Sequence, residues 1–131
     1  MAIVPFKPHD AVIVVNVLVR GAKNSKLIKM VIDTGASISS IPSDIALAIG
    51  VDPSKPIKKI EIITASGTEY VPVVKIPCIQ FLGFSLKNVE IACLNLPPQS
   101  TVSGLLGLNI LKNFDLFLKF REGLIEIKSP S

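Results

Sequence analysis

One stretch of this chain delivers a reactive side chain into a turn: Val31-Ile32-Asp33-Thr34-Gly35-Ala36-Ser37, an apolar run ending in a carboxylate that Thr-Gly follows. An aspartate in that setting has two uses. Its side chain can bond the backbone two residues on and simply hold the turn, or it can give and take protons. The other reactive residues have poorer settings. Cys78 and Cys93 sit in apolar, strand-like runs that suit buried thiols, and the sequence leaves a disulfide between them open. His9 is the single histidine, so the chain cannot assemble a tetrahedral Cys/His metal site, and nothing around it marks a Cys-His nucleophile pair. Neither a metal nor a cofactor is expected.

The bulk of the sequence must position that carboxylate. A length of 131 residues supports a single domain over 1–131, large enough to bury roughly two-thirds of its unfolded surface. Hydrophobic residues make up 49%, with no tryptophan, one tyrosine and many Val and Ile. That balance suits a β-rich core more than a helical bundle. The formal charge of +4 comes from scattered lysines with only a loose group at Lys55, Lys58 and Lys59, so a nucleic-acid partner is not expected. The apolar run from Ala11 to Val19 is interrupted by Asn16 and falls well short of the roughly 20 residues of a membrane span. With no basic lead-in to a secretory signal, the expectation is a soluble, cytoplasmic protein without membrane contact.

In chain order, residues 1–10 hold two prolines and read as an irregular arm. Ala11–Arg20 and Leu27–Asp33 read as two strands joined by a polar hairpin loop, the second ending at the carboxylate. Pro42-Ser43-Asp44 opens a short amphipathic helix that stops at Gly50. Ile57–Thr64 and Glu69–Ile76 form a hairpin whose tip, Ala65-Ser66-Gly67-Thr68, is a candidate lid, with Gly67 able to take a positive φ. Pro72 and Pro77 suit an edge position or a strand end. Cys78–Leu82 and Phe84–Leu94 make a further hairpin around Gly83. Gly104-Leu105-Leu106-Gly107 then passes straight into a helix reaching about Asn113, its glycines fitting close approach to the strand that carries Asp33. Phe114–Phe120 and Leu124–Lys128 close the chain as a last hairpin.

Asp33-Thr34-Gly35-Ala36, the Gly67 hairpin about 30 residues on, and Leu105-Leu106-Gly107-Leu108-Asn109-Ile110-Leu111 before the final hairpin occur in a fixed order. Together, over roughly Val12 to Ile127, they resemble the retropepsins, the single-lobe aspartic proteases of retroviruses and their cellular and bacterial relatives. The resemblance implies an all-β, closed β-barrel with one short helix after the catalytic loop and another near the C-terminus. It also implies a homodimer acting on polypeptide substrates, with the two Asp33 loops meeting at a twofold axis. Asp33 is carried over as the catalytic carboxylate, Thr34 as a hydrogen-bonding brace across the twofold, and Gly35 as a place where substrate backbone comes close. Ala36 matches the retropepsin form of the motif and lacks the hydroxyl that pepsins place there to favour the charged carboxylate, which implies a weakly acidic to neutral pH optimum. Residues 65–68 correspond to the flap. Ile38, Ile41, Val71 and Leu105 are candidates for pocket lining.

Two positions depart from the viral pattern together. Where retroviral enzymes carry an aspartate after Asp-Thr-Gly-Ala and an arginine before the late asparagine, this chain has Ser37 and Leu108. Loss of both partners avoids a stranded buried charge and points to an apolar substitute for that contact, on a cellular or prokaryotic branch. It also leaves a rival reading: a catalytically inactive module that keeps the fold for dimerisation or peptide binding.

Overall fold

The structure, a computed structural model, describes residues 2–128. In order its elements are β1 (Ala2–Pro5), β2 (Val14–Arg20), β3 (Ser25–Ile32), β4 (Ser40–Ile41), α1 (Ser43–Ala48) and β5 (Lys58–Thr64). They continue with β6 (Gly67–Phe81), β7 (Phe84–Cys93), β8 (Gly104–Leu106), α2 (Leu108–Leu111), β9 (Asp115–Lys119) and β10 (Leu124–Lys128). Six strands close on themselves in the order β2-β3-β8-β4-β7-β6, with β6 returning to pair β2. Strand β5 extends from β6 outside this ring, and β1-β10-β9 form a separate antiparallel sheet. The expected closed β-barrel with two short helices is what the chain forms.

Alternation builds the core. Val15, Val17 and Val19 of β2 and Ile28 and Met30 of β3 point inward, and Leu106, Ile41, Ile91, Cys93, Val74, Ile76 and Phe81 complete the filling from the other strands. Ile110 and Leu111 of α2 and Ile125 and Ile127 of β10 join the same cluster, so the small sheet and the late helix pack onto the barrel. The Phe114 ring stacks edge-on against Phe81 at 5.2 Å between centroids, a geometry aromatic pairs favour.

Two expectations about strands need correction. The arm expected to be irregular contains β1, whose Ala2, Ile3, Val4 and Pro5 pair with Ile127, Glu126, Ile125 and Leu124; Met1 lies outside the described residues. Pro5 closes the strand and Pro8 lies beyond it, so neither removes a ladder bond from its interior. The segments expected as separate strands on either side of Pro77 are one 15-residue strand, β6. Each proline in it falls where one edge has no partner: the ladder to β7 begins at Val73, just past Pro72, and Pro77 lies between the end of the β5 ladder at Val73 and the start of the β2 ladder at Cys78.

Both cysteines are free thiols. Cys78 pairs with Lys87 in the β6–β7 ladder, and Cys93 is six residues further along β7, roughly 20 Å away and far beyond disulfide reach. Burial raises the pKa of the Cys93 thiol, whereas Cys78 is half-exposed. Iodoacetamide at neutral pH should therefore modify Cys78 at least about tenfold faster than Cys93; mass spectrometry of the native protein over time reads the order, and equal rates would mean that β7 opens readily.

Candidate active site

Strand β3 ends at Ile32, and the next residue remains tied to the barrel: the Asp33 N–H donates to Leu106 O at 2.9 Å. The chain then turns. Asp33 Oδ1 accepts the Gly35 N–H at 2.9 Å and Asp33 O accepts the Ala36 N–H at 3.2 Å. Asp33 stays half-exposed, with Thr34 and Gly35 fully open beside it. A Cβ on Gly35 would lie 3.2 Å from Asp33 Oδ1, so the missing side chain keeps the carboxylate approachable. Among the described residues no cation pairs with Asp33.

Beneath the turn lies a compact polar network. Asn109, in the first turn of α2, accepts both the Ser39 N–H and the Ser39 hydroxyl at Oδ1, each at 2.8 Å. Its amide nitrogen donates to Glu90 O at 2.7 Å. The Ser39 hydroxyl oxygen accepts the Gly107 N–H at 2.8 Å, and the Leu108 N–H donates to Ala36 O at 2.8 Å. One asparagine thus ties the Asp33 loop, the start of α2 and strand β7 together. The glycines that frame β8 make this approach possible: a Cβ on Gly104 would overlap the Ser40 carbonyl, and one on Gly107 would meet the backbone of Ile38 and Ala36 at under 3 Å. Met30 pairs with Gly104 in a parallel ladder, so this segment lies against the strand leading to Asp33, as its glycines predict.

The family model described as "gag-polyprotein putative aspartyl protease" matches residues 19–113. The chain belongs to the retropepsin-like aspartic proteases. Among solved structures it is similar to a retropepsin-like aspartic protease from Rickettsia conorii, with 23% identity, a TM-score of 0.70, and coverage of 94% of this chain and 86% of that one. It is also similar to the simian foamy virus protease, with 18% identity, a TM-score of 0.50, and coverage of 72% of this chain and 86% of that one. Both likenesses concern the fold. The curated proteins yield no match.

Within this retropepsin-like frame, the residues singled out from sequence are distributed unevenly. Ala65 and Ser66 form the two-residue turn of the β5–β6 hairpin, closed by the Thr64–Gly67 pair, and Gly67 takes φ +123°. Residues 65–68 are all exposed. Lower down the hairpin, Ile60, Ile62 and Val71 share a small apolar cluster with Val73, Ala92, Leu94 and Ile38, so the base of the hairpin packs against the loop that follows Asp33. Leu105 lies beside Val31 on one flank and Ser40 on the other. Ile41 does not line a surface pocket: it is fully buried in the main core. Strand alternation explains the correction, because Ile41 faces into the barrel and its neighbour Ser40 faces out.

The roles of three polar residues escaped the sequence reading: Ser39, Ser40 and Asn109, the last quoted there only as part of the late motif. The available signal was the pair of serines set between Ile38 and Ile41 in an otherwise apolar stretch, since buried hydroxyls need partners. Among the described residues there is no group of His, Cys, Asp and Glu able to hold a metal. No helix among the described residues is long and apolar enough to cross a membrane.

Proposed function

We propose that this chain is an aspartic endopeptidase that works as a homodimer, hydrolysing extended polypeptides with a water held between two Asp33 carboxylates. The observation that carries the reading is Asp33 itself: a half-exposed carboxylate in a rigidly tied Thr-Gly turn, in a chain of this family that contributes only one such group. Water is a poor nucleophile toward an amide, so one ionised carboxylate must take its proton while a protonated partner polarises the carbonyl oxygen. Two aspartates a few ångströms apart divide these roles, because they cannot comfortably ionise together and so share a proton, a behaviour known for aspartic proteases as a class. The water oxygen bonds to the carbonyl carbon and its proton passes to one Asp33. The C–N bond then breaks as the leaving nitrogen takes a proton from the dyad, giving an acid and an amine. Protonation constants belong to the pair and not to either copy.

A second copy supplies the second carboxylate through an isologous contact. Thr34, exposed in the single chain, braces the partner loop in this reading. Further support for assembly comes from β1, whose outer edge has no partner strand among the described residues, and from Ile3 and Phe117, which are 56% and 50% exposed and flank Glu126 on one face of the small sheet. The hairpin tip 65–68 closes over the substrate as a flap and excludes water. The peptide lies beneath it as an added strand, with main-chain bonds for affinity and side-chain pockets for specificity. Two unpaired thiols fit the reducing cytoplasm.

Dilution tests the assembly. Casein cleavage per chain at pH about 5–6 should fall steeply as the concentration drops below the dimer dissociation constant measured by sedimentation in parallel. A strictly monomeric species that still cleaves overturns the mechanism.

A further inference from the structure

Ser40 is 3% exposed. Among the described residues its hydroxyl is the one buried side-chain polar atom without a hydrogen-bond partner, while Ser39 beside it is fully engaged. Buried hydroxyls are nearly always paired, and one left alone makes the fold less stable than a methyl group would. A trapped water needs two to four polar neighbours, and the residues paired with Ser40 across the sheet, Ala92 and Leu105, are apolar.

Its position gives the orphan atom a use. Ser40 pairs with Ala92 of β7 on one side and Leu105 of β8 on the other, Leu105 pairs with Val31, and Ala92 pairs with Val73. Val31, Leu105, Ser40, Ala92 and Val73 therefore form one row across the outer face of the barrel, with a single hydroxyl at its centre. Ile38 packs with Val73 and Ala92 of this row in one apolar cluster, and Asp33 follows Val31 by two residues, just past the end of β3 and still bonded to Leu106 O, so both border this face. With strands about 4.8 Å apart and a rise of about 3.3 Å per residue, Ser40 lies roughly 12 Å from Asp33 over the surface. A peptide strand on this face would bring a side chain within two residues of the cleaved bond to that point.

We propose that Ser40 is a specificity residue: its hydroxyl is the polar end of a side-chain pocket walled by Ile38, Leu105 and Ala92. The pocket selects substrate side chains able to hydrogen-bond there, Thr over Val and Asn over Leu. The inference rests on the protease reading and names its substrate preference. An apolar side chain would seal the hydroxyl in without a partner, whereas a polar one of the same shape completes it, and a site built this way rejects the analogue that lacks the bonding group. Entry requires Ile38 to part from Ile60, Ile62 and Val71, which form one apolar cluster in the free chain. Lid opening and exposure of the hydroxyl are thereby the same event.

Peptide pairs differing only by Thr for Val, at each of the two positions on either side of the cleaved bond, test this in the full chain. Wild type should cleave the Thr peptide about tenfold more efficiently in kcat/KM at one of these positions, and Ser40→Ala should level or reverse that order. Calorimetric binding of the same peptides to Asp33→Asn should give the same ratio without any cleavage. A wild type that cleaves with no Thr preference at any position, or a Ser40→Ala protein that keeps the preference, overturns the inference and leaves the protease reading standing. A Thr preference in binding by a wild type that never cleaves does the reverse. Ser40→Ala should melt no lower than wild type; a fall of more than about 4 °C would mean the hydroxyl has a partner inside the protein, and would also overturn the inference.

Discussion

Replacing Asp33 by Asn is expected to abolish casein cleavage at pH about 5–6, a loss of at least about 10²- to 10⁴-fold in kcat. The substitution is chosen for what it keeps. Asparagine retains the oxygen that accepts the Gly35 N–H at 2.9 Å and suits the same turn, and the main-chain bond from residue 33 to Leu106 O does not depend on the side chain. Melting temperature and sedimentation should thus stay close to wild type while activity vanishes. What the amide cannot do is accept a proton from water. Because the reading requires both copies of Asp33, the mutant should also poison the wild type: in a tenfold excess of Asp33→Asn, random pairing leaves only about one wild-type chain in eleven with a wild-type partner. Activity per wild-type chain should fall to about a tenth, measured after equilibration at a total concentration that keeps all chains dimeric. Equal cleavage by mutant and wild type would remove Asp33 from the mechanism, and unchanged activity in the mixture would remove the shared site.

How far the sequence alone reached depended on the range of each interaction. Strands β2 and β3 were legible because a polar local loop joins two runs rich in Val, Ile and Leu, even though the first run alternates poorly. The approach of Gly104 and Gly107 was legible because small residues bracketing Leu105-Leu106 have few other uses. Strand β1 was not, since nothing near Ala2–Pro5 reveals that its partner lies at Leu124–Ile127, at the far end of the chain. The same limit applies to Ile41. Its strand has two residues, too few to show a period, so only the tertiary register tells which of Ser40 and Ile41 faces the barrel interior. Prolines misled in β6 for a related reason: a proline reports a missing donor, and whether that breaks a strand depends on neighbours that start and stop elsewhere in the sequence. The Asp33 loop announced itself through Asp33-Thr34-Gly35, but its supports, Ser39 and Asn109, are 70 residues apart and acquire meaning only as a pair.

That pair carries the second large expected effect. Asn109→Ala removes the acceptor for the Ser39 N–H and hydroxyl and the donor to Glu90 O in one step. Ser39 is fully buried, and each stranded group costs about 1–3 kcal/mol unless water reaches it. A total of about 3–5 kcal/mol is expected, lowering the melting temperature by roughly 10–20 °C in a chain of this size. Activity should fall further than the folded fraction does, because the Ser39 hydroxyl also holds the Gly107 N–H, next to the Leu106 carbonyl that fixes the backbone of Asp33. Asn109→Asp separates the two halves of the role. It keeps the acceptor for Ser39 and loses only the donor to Glu90 O, where a charged carboxylate would face a carbonyl. Protonation restores a donor there, so the folded state holds that proton more tightly than the unfolded chain does. A group whose pKa is raised on folding contributes stability at low pH and loses it as pH rises. Asn109→Asp should therefore melt nearer to wild type at pH about 4 than at pH about 8, while Asn109→Ala stays equally far below wild type at both. If Asn109→Ala melts within a few degrees of wild type, the Asp33 loop is held by its main-chain bonds alone.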